Sequence, residues 1–591
     1  MDTNYNLPLS LQDLIEMQYE SERELKTVKT KAAKFEKVRA GNHWNDDEKF
    51  KIESQNRVAY SINLINHKIN TILSSQRIRR SVYKVNAISD PADEYKANIA
   101  TLLLREKERR NNLKYLESEI FESGLAVSFG AVEIYPEEVF GSTTVKLRKL
   151  DYKNTNWDPN SKSYCLEDAS FISHKTYLRR YEIERLFSTN LNSEALSQNL
   201  SLEVIANFTG NPDFDVIPVT THYQKTNRQV YIVIANDHLN LAGLNGNPVA
   251  AKFLSKTDAE KKLREIYSKY ILENLEKPYG EVIESNETGV DRYIYTPAGL
   301  LSYEQTPLQK IPVSIYRSFF FEGKFWTLSD LLIDPQLFLN RIFMQIDYSF
   351  GRDVKNVFQG NINALAESET PQTAQFKAEK TGGIIWTRTG EDAFRPLKLS
   401  GVNPQYFQVA GIMQSFIEDI SGGRSFQGLS ESSAESGKAI LAKQRQGSLT
   451  ASLFLDNLAR WKKDLGEKIL ENINCYESLN RKLTLLGDEF SANAIEYLTN
   501  SGIANVVEGS RYLQINGDVL GSEGIEINNF DFELTVSETP YSETEKSETL
   551  TNLLEFAKLY PGVIPPGVML EYFDIKLKNG GEIGKNSANP V

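Results

Sequence analysis

Residues 328–352 read LSDLLIDPQLFLNRIFMQIDYSFGR, and this stretch decides the fold. Leu337, Phe338, Ile342, Phe343, Ile346 and Phe350 recur at three- and four-residue steps, which places them on one helical stripe. Ser329 or Asp330 is expected to cap the start, because a short polar side chain satisfies the orphan amides of a first turn. Pro335 either bends the helix or marks its true first turn. Asn340, Arg341, Gln345 and Arg352 fall off the stripe. Such a helix is too polar to span a membrane and too apolar to stand alone. Its plain reading is a core helix of a large globular protein.

The flanks of this helix are of two kinds. Upstream, residues 278–325 are β-rich, with Pro307 and Pro312 as punctuation. Phe319, Phe320, Phe321, Phe325 and Trp326 cluster there, either buried against neighbours or part of an interface. Before them, Ser255 to Leu275 reads as a charged helix supported by Glu260–Arg264 and Glu265–Lys269 at four-residue spacing. Downstream come a polar loop at 364–375, a strand at 382–390 and a helix from Pro404 to Ile420. Residues 422–438, GGRSFQGLSESSAESGK, form a long run of small and polar residues. A helix from about Ala434 to Asn474 follows, with Leu449, Leu453, Leu458, Trp461, Leu465, Ile469 and Ile473 on one face. At 1.5 Å per residue it spans about 60 Å. Ser436-Gly437-Lys438 imitates the end of a phosphate-binding loop. It fails the pattern, because Ser432 stands where glycine is needed and Ala439 where a hydroxyl would hold magnesium.

Towards the start, residues 10–39 read as an amphipathic helix ended by Ala40-Gly41-Asn42. A second helix is expected after Asn45 up to about Gln76, and a third over 94–123 with Gly124 as its stop. Arg77, Arg79 and Arg80 make a basic knot, either a solvated helix end or a contact for DNA or a partner. Residues 126–150 alternate as a hairpin around Gly141-Ser142. Asp158 and Asp168 could be taken for a metal pair, but Asp-Pro is a turn former and no third ligand is near, so they are read as structural. Residues 183–208 read as a polar helix, and residues 216–235 as a hairpin turning at Thr226-Asn227-Arg228. Text from 501 to about 536 is β-rich, a short helix begins near Leu550, and the last residues read as disordered.

The chain has 591 residues, too many for one compact core, so several sub-domains are expected. Its two cysteines, Cys165 and Cys475, provide neither a disulfide framework nor a cysteine-rich metal site. No signal-peptide pattern opens the sequence and no run is long and apolar enough for a membrane span, so a reducing cytoplasm is the expected site of synthesis. The net charge of −12 argues against tight, general nucleic-acid binding, which draws on neutralised phosphates. The five histidines lack metal-ligand spacing, and no nucleophile elbow is present. Neither a cofactor nor a catalytic or metal site is expected.

Several blocks together resemble the portal proteins of tailed bacteriophages, of the short-tailed type. They are Leu332-x-Asp334-Pro335-Gln336-x-x-x-Asn340-Arg341 after Ile311-Pro312-Val313, and Gly41-x-x-Trp44 followed by Arg57, Asn63 and Ile69 to Arg77. Trp157-Asp158-Pro159 with Asp168-Ala169-Ser170-Phe171, and the glycine-rich loop before Ser436-Gly437-Lys438-Ala439-Ile440, complete the series. The resemblance covers residues 40–475 and, more weakly, 530–575. It implies an α+β, multi-domain portal fold with long stem and wing helices, a small β-rich clip and β-rich wing elements. The implied divisions are an N-terminal wing and body at 1–254, a first stem helix at 255–277, a clip at 278–325 and a second stem helix at 326–355. A wing return at 356–421, a tunnel loop at 422–435, a long wing helix and β segment at 436–536 and a small crown-like region at 537–591 follow.

The implied function is a ring, of twelve subunits by the family rule, at one capsid vertex of the virion, assembled in the host cytoplasm. It would be the channel for genome packaging and ejection. Its implied partners are further copies of itself, the major capsid protein, the terminase large subunit, head–tail adaptor or tail proteins, and double-stranded DNA passing non-specifically; no membrane is involved. Gly422, Gly423, Arg424, Phe426, Gln427 and Lys438 are the implied tunnel residues. Asp334, Pro335, Gln336, Asn340 and Arg341 belong to the stem, and Phe319, Phe320, Phe321 and Trp326 to a partner-binding clip. The alternatives are another phage structural or scaffold protein, which repeats would favour, and a phage nucleic-acid enzyme such as a nuclease, which needs three converging acids.

Overall fold

The computed structural model describes residues 9–55, 57–78, 81–88, 94–139, 142–187, 216–235, 249–253, 256–257, 259–261, 263–264, 280–354, 358–379, 384–388, 394–396, 403–421, 437–477, 481–484, 504–506, 512–515 and 532–538. They form an α+β protein whose strand pairs are all antiparallel. Helix α1 (Leu11–Arg39) opens with a capping box of Ser10 and Asp13. Two helices, α2 (Asp46–Ser54) and α3 (Leu64–Ile78), replace the single one expected, with non-helical backbone at 57–63. Likewise 94–123 divides into α4 (Glu94–Arg110) and α5 (Leu113–Ala126), because Asn112 adopts φ 50, a left-handed conformation that asparagine tolerates. Gly124 does not stop α5. It lies inside it, where a Cβ would come within 2.4 Å of the Tyr316 ring.

The hairpin predicted around Gly141-Ser142 is present as β2 (Gly130–Val139) and β3 (Ser142–Leu150), paired from Ala131–Leu150 to Val139–Ser142. Strand β4 (Thr155–Trp157) pairs with β5 (Phe171–Arg179), and the helical segment predicted from 183 begins earlier, as α6 (Arg180–Phe187). Residues 216–235 are not a hairpin but one strand of 20 residues, β6 (Val216–Ala235). It runs through Thr226-Asn227-Arg228 without turning, because Arg228 is occupied sideways: its guanidinium donates to the Thr306 and Val290 carbonyls and pairs with Asp291 at 2.6 Å. Gly289 leaves room for that side chain, since a Cβ there would meet the guanidinium at 2.3 Å. Strands β7 (Val249–Phe253), β8 (Gly280–Thr296) and β9 (Gly299–Thr306) join it in a six-stranded sheet of order β4-β5-β6-β8-β9, with β7 beside β6. The segment from 280 to 306 therefore shares its sheet with strands from the N-terminal part of the chain and does not stand apart as a β module. Strand β10 (Val313–Tyr316) pairs with β2 in a second sheet.

A short hairpin, β11 (Phe319–Phe321) and β12 (Lys324–Trp326), leads into α7 (Leu328–Val354). The cap of α7 is neither Ser329 nor Asp330. Thr327 holds that position: its Oγ1 accepts from the Asp330 amide at 3.2 Å while the Asp330 carboxylate accepts from the Thr327 amide at 2.9 Å. Ser329 instead donates its hydroxyl to the Ala126 carbonyl at 2.5 Å. Pro335 sits inside the helix, past its first turn. After α7 come β13 (Phe358–Gly360), α8 (Pro371–Glu379), β14 (Phe394–Pro396) and α9 (Gln405–Ile420). The strand expected at 382–390 reduces, among the described residues, to a single bridge between Leu365 and Thr387.

The long predicted helix is α10 (Gly437–Tyr476), 40 residues. Its Leu458, Trp461, Leu465, Ile469 and Ile473 are buried in the largest hydrophobic core, shared with α3, α4, α5, β2 and α7, while Leu453 faces outward. Charged side chains share that interior and are paired. Lys462 reaches Glu117 at 3.2 Å and Glu108 at 3.5 Å, and Lys468 reaches Asp464 at 2.8 Å. The Lys107–Glu477 pair is fully enclosed. Strand β1 (Ser81–Ala87) pairs along its whole length with β18 (Phe532–Glu538), far along the chain, and crosses α10. Between them in the numbering, β15 (Arg481–Thr484), β16 (Ala504–Val506) and β17 (Tyr512–Ile515) form a three-stranded sheet.

Candidate functional site

The Asp334–Arg341 motif of α7 divides between two faces of the helix. Gln336 and Asn340, one turn apart, are completely buried. Gln336 Nε2 donates to the Ile62 carbonyl at 2.5 Å and to Asn340 Oδ1 at 3.0 Å, and its Oε1 accepts from the Leu64 amide at 3.0 Å. Asn340 Oδ1 also accepts from the Ile62 amide at 3.3 Å, and its Nδ2 lies 2.7 Å from His43 Nδ1. Two amide side chains thereby satisfy backbone groups of the non-helical segment before α3 and one orphan donor of that helix's first turn.

His43 is placed by the turn that ends α1, where Gly41 takes φ 94, a conformation glycine adopts without penalty. Burial holds the His43 imidazole below its ordinary pKa. The neutral ring can accept the Asn340 amide, as the 2.7 Å distance requires. Trp44 Nε1 donates to the Tyr60 carbonyl at 2.8 Å. Asn63 caps α3 through the Asn66 amide at 3.0 Å, and its Nδ2 donates to the Arg39 carbonyl at 2.9 Å. Gly41, Trp44, Asn63, Gln336 and Asn340, far apart in the chain, thus belong to one junction. Sequence reasoning named these residues but not their meeting, and it missed His43. The available signal was Gln336 and Asn340 standing four apart at positions where the helix pattern turns inward.

Asp334 and Arg341 lie exposed on the opposite side of α7, beside Leu331 and Phe338. Of the stripe read from the sequence, Ile342 and Ile346 are buried, whereas Phe338 and Phe350 are half exposed. Pro335 lies at the margin, half-buried.

The aromatic residues before α7 mostly pack within the subunit. Phe319 stacks on Trp326 at 5.6 Å and meets Phe454 edge-on at 4.9 Å. Phe320 meets Tyr164 at 5.5 Å and lies under the Arg317 guanidinium at 4.4 Å. Phe321, next to the Glu322-Gly323 turn, is 64% exposed, while Phe319, Phe320 and Trp326 are half-buried.

Asp158 and Asp168 are occupied by their own loop. Asp158 accepts from the Ser170 amide at 3.0 Å and the Ser170 hydroxyl at 2.7 Å. Asp168 accepts from the Ser161 hydroxyl and the Lys162 and Ser163 amides. These donors outweigh burial and hold both carboxyls below the usual range. Among the described residues no cluster of three or more metal-ligating side chains occurs, and no helix is long and apolar enough to cross a membrane. Lys438 falls on the first turn of α10. Gly422, Gly423, Arg424, Phe426 and Gln427 lie outside the described residues, as do Arg79, Arg80 and everything after Glu538.

No curated protein matches the chain. The family model of phage P22-like portal proteins matches residues 16–580, nearly its whole length. That match takes in every block gathered at the junction under α7, from the Gly41 turn to Arg341, and the long buried helix beyond it. The chain belongs to the phage P22-like portal protein family.

Proposed function

We propose that this protein forms a closed ring of twelve subunits at one capsid vertex, through which the genome is packaged and ejected. Membership of the family carries the coarser part: a structural, non-enzymatic phage protein of the virion, assembled as a multimeric ring with capsid and packaging partners. The observation that supports the ring most directly is the split stem helix. Its inner face is fixed to the subunit by Gln336 and Asn340, while its outer face keeps Leu331 and Phe338 in solvent. In this reading the terminase motor and then a head–tail adaptor dock at residues 278–325, with Phe321 as the exposed anchor, and 422–435 line the narrowest part of the channel. The net charge of −12 suits a channel that lets DNA slide. Electron microscopy of the purified protein tests the proposal. Twelve-fold rings with a central channel are expected, and a stable monomer at micromolar concentration refutes it.

A further inference from the structure

Helix α1 lies against three parts of the fold in turn. Its buried positions are Leu14, Gln18, Ser21, Leu25, Ala32, Phe35 and Val38, with half-buried Val28 between Leu25 and Ala32. They follow one another at three- and four-residue steps and so form one seam along the helix. At its start, Leu14 is enclosed with Tyr293 and Tyr295 of β8. Gln18 Oε1 accepts from the Tyr295 hydroxyl at 2.6 Å and from the Thr220 hydroxyl of β6 at 3.3 Å. Ser21 donates its hydroxyl to the Trp157 carbonyl of β4 at 2.6 Å, and Glu22 pairs with Lys175 of β5 at 2.5 Å. The first turns thus cross four strands of the six-stranded sheet. In the middle, Leu25 and Ala32 belong to the apolar cluster of Phe129, Ala131 and Leu150 on the second sheet. At the far end the Val38 and Arg39 carbonyls accept from Asn63 Nδ2 at 3.3 and 2.9 Å. Asn63 also caps α3, beside the backbone held by Gln336 and Asn340.

We propose that α1 is a strut that couples the six-stranded sheet to the junction under α7. Its 29 residues contain no glycine or proline, the residues at which helices most readily bend, so it is one stiff piece about 43 Å long. Both ends are pinned by directional bonds, through Gln18 and Ser21 at the sheet and through the last carbonyls at Asn63. Between the pins, Leu25 and Ala32 make apolar contacts, which resist a small slide far less because they have no direction. A displacement of the sheet end therefore either breaks a buried hydrogen bond, at the cost of an enclosed unpaired group, or is carried to Asn63 and the 57–63 segment, where Asn340 and His43 meet. A helix that only covered the sheet would place apolar residues along the whole seam. Here two seam positions, both buried, are glutamine and serine, which hold a helix in one axial position. Strands β8 and β9 carry most of residues 280–306, so a partner docked there would act on the stem helix through α1. That consequence rests on the docking reading above, whereas the coupling belongs to the single chain and is measured without a partner.

Hydrogen exchange on the full-length protein tests the strut. Gln18→Ala frees the sheet end, about 30 Å along the helix from Arg39. Residues 57–64 should then lose roughly tenfold in protection, within the range of site-to-site couplings. Strand β1, paired with β18 in a separate sheet, should keep its wild-type exchange. Lys26→Gly with Thr27→Gly, both at exposed positions, softens the middle of α1 without shifting its register. In that background, adding Gln18→Ala should change nothing further at 57–64. Coupling is reciprocal, so Asn63→Ala should raise exchange at 290–296 of β8, and this variant decides the matter if Gln18→Ala does not fold. The proposal is overturned if 57–64 keep full protection in Gln18→Ala, if β1 loses as much as they do, or if the effect survives the glycine pair. Coupling in a protein whose residues 278–325 bind neither motor nor adaptor would refute the docking reading and leave the strut standing; absent coupling in a protein that docks both would refute the strut alone.

Discussion

Gln336→Ala is the substitution that most sharply tests the junction under α7. The wild-type side chain holds the Ile62 carbonyl at 2.5 Å and the Leu64 amide at 3.0 Å, and it is completely buried. Alanine leaves these two backbone groups only their mutual bond, from the Leu64 amide to the Ile62 carbonyl at 3.2 Å. An unsatisfied group costs about 1–3 kcal/mol, and with the mutual bond kept the variant should lose roughly 2–3 kcal/mol. Asn340 Oδ1 keeps its bond from the Ile62 amide but loses the one from Gln336. The two amides act as a unit, so Gln336→Ala and Asn340→Ala should couple in a double-mutant cycle by about 1 kcal/mol or more rather than add. Urea unfolding reads the global loss, and hydrogen exchange over 57–64 reads the local one. A loss below about 1 kcal/mol with unchanged exchange refutes the argument. Gln336→Glu supplies a contrast. Its second carboxylate oxygen would face the Ile62 carbonyl and Asn340 Oδ1, which are acceptors, so the carboxyl should bind a proton more readily folded than unfolded. That variant should regain stability as the pH falls and lose it again as the pH rises.

Acid should weaken the wild-type protein through its buried histidines. Burial lowers the pKa of His43 and His174 and brings that of His222 to about 4, against an unfolded value of 6.5. In each case the unfolded chain binds the proton first, so stability is complete above about pH 6.5 and falls below it. His222 alone accounts for about 3 kcal/mol by pH 4, and His222→Phe should flatten that part of the profile in pH-dependent urea titrations. Glu477→Ala removes the enclosed carboxylate that pairs with Lys107 and accepts the Val145 amide, and should cost about 3–5 kcal/mol, measured as a fall in the urea midpoint; a loss under 1 kcal/mol would show that the pair is dispensable. Arg424→Glu, and separately a deletion of 426–430, should leave ring assembly intact but reduce the yield of particles with a full, retained genome. Normal yield from both would place the DNA-facing surface elsewhere.

The parts of the fold that could be read from the sequence are those set by near neighbours. Helix α1 begins at Leu11 behind a Ser10–Asp13 box and ends before Gly41, all within local text. Helices α7, α9 and α10 follow from their apolar period, and the β2–β3 hairpin from Gly141-Ser142. The errors arise where distant residues decide. Thr226-Asn227-Arg228 looks like a turn because its three side chains are polar, but Asp291 and two carbonyls on other strands hold Arg228 within a straight strand. Backbone between α2 and α3 is kept out of a helix partly by hydrogen bonds to Gln336 and Asn340, more than 270 residues on. The break at Asn111-Asn112 was open to reading, since paired asparagines are poor helix formers, yet the apolar stripe continuing across it suggested one helix.

The candidate site shows why such non-local bonds matter to an assembling protein. Around α7 hydrophobicity alone does not set the rotation of the helix: Leu332 and Leu339 point inward, but Leu331 and Phe338, each the preceding residue, point outward. A turn of about 100° would exchange Leu332 and Leu339 for Leu331 and Phe338, though it would also carry Arg341 to the buried position of Ile342. It would also carry Gln336 and Asn340 away from Ile62, Leu64 and His43, leaving several enclosed polar groups unpaired at about 1–3 kcal/mol each. The amides therefore fix the rotational register that the leucines and phenylalanines leave open, much as a buried asparagine selects one alignment of a coiled coil. With that register set, Leu331, Asp334, Phe338 and Arg341 keep a fixed direction outward. Helix α9, packed on the same helix, inherits it. A contact repeated around a closed ring tolerates little angular error per subunit, and a polar junction that permits one rotation supplies that constraint where an apolar stripe cannot.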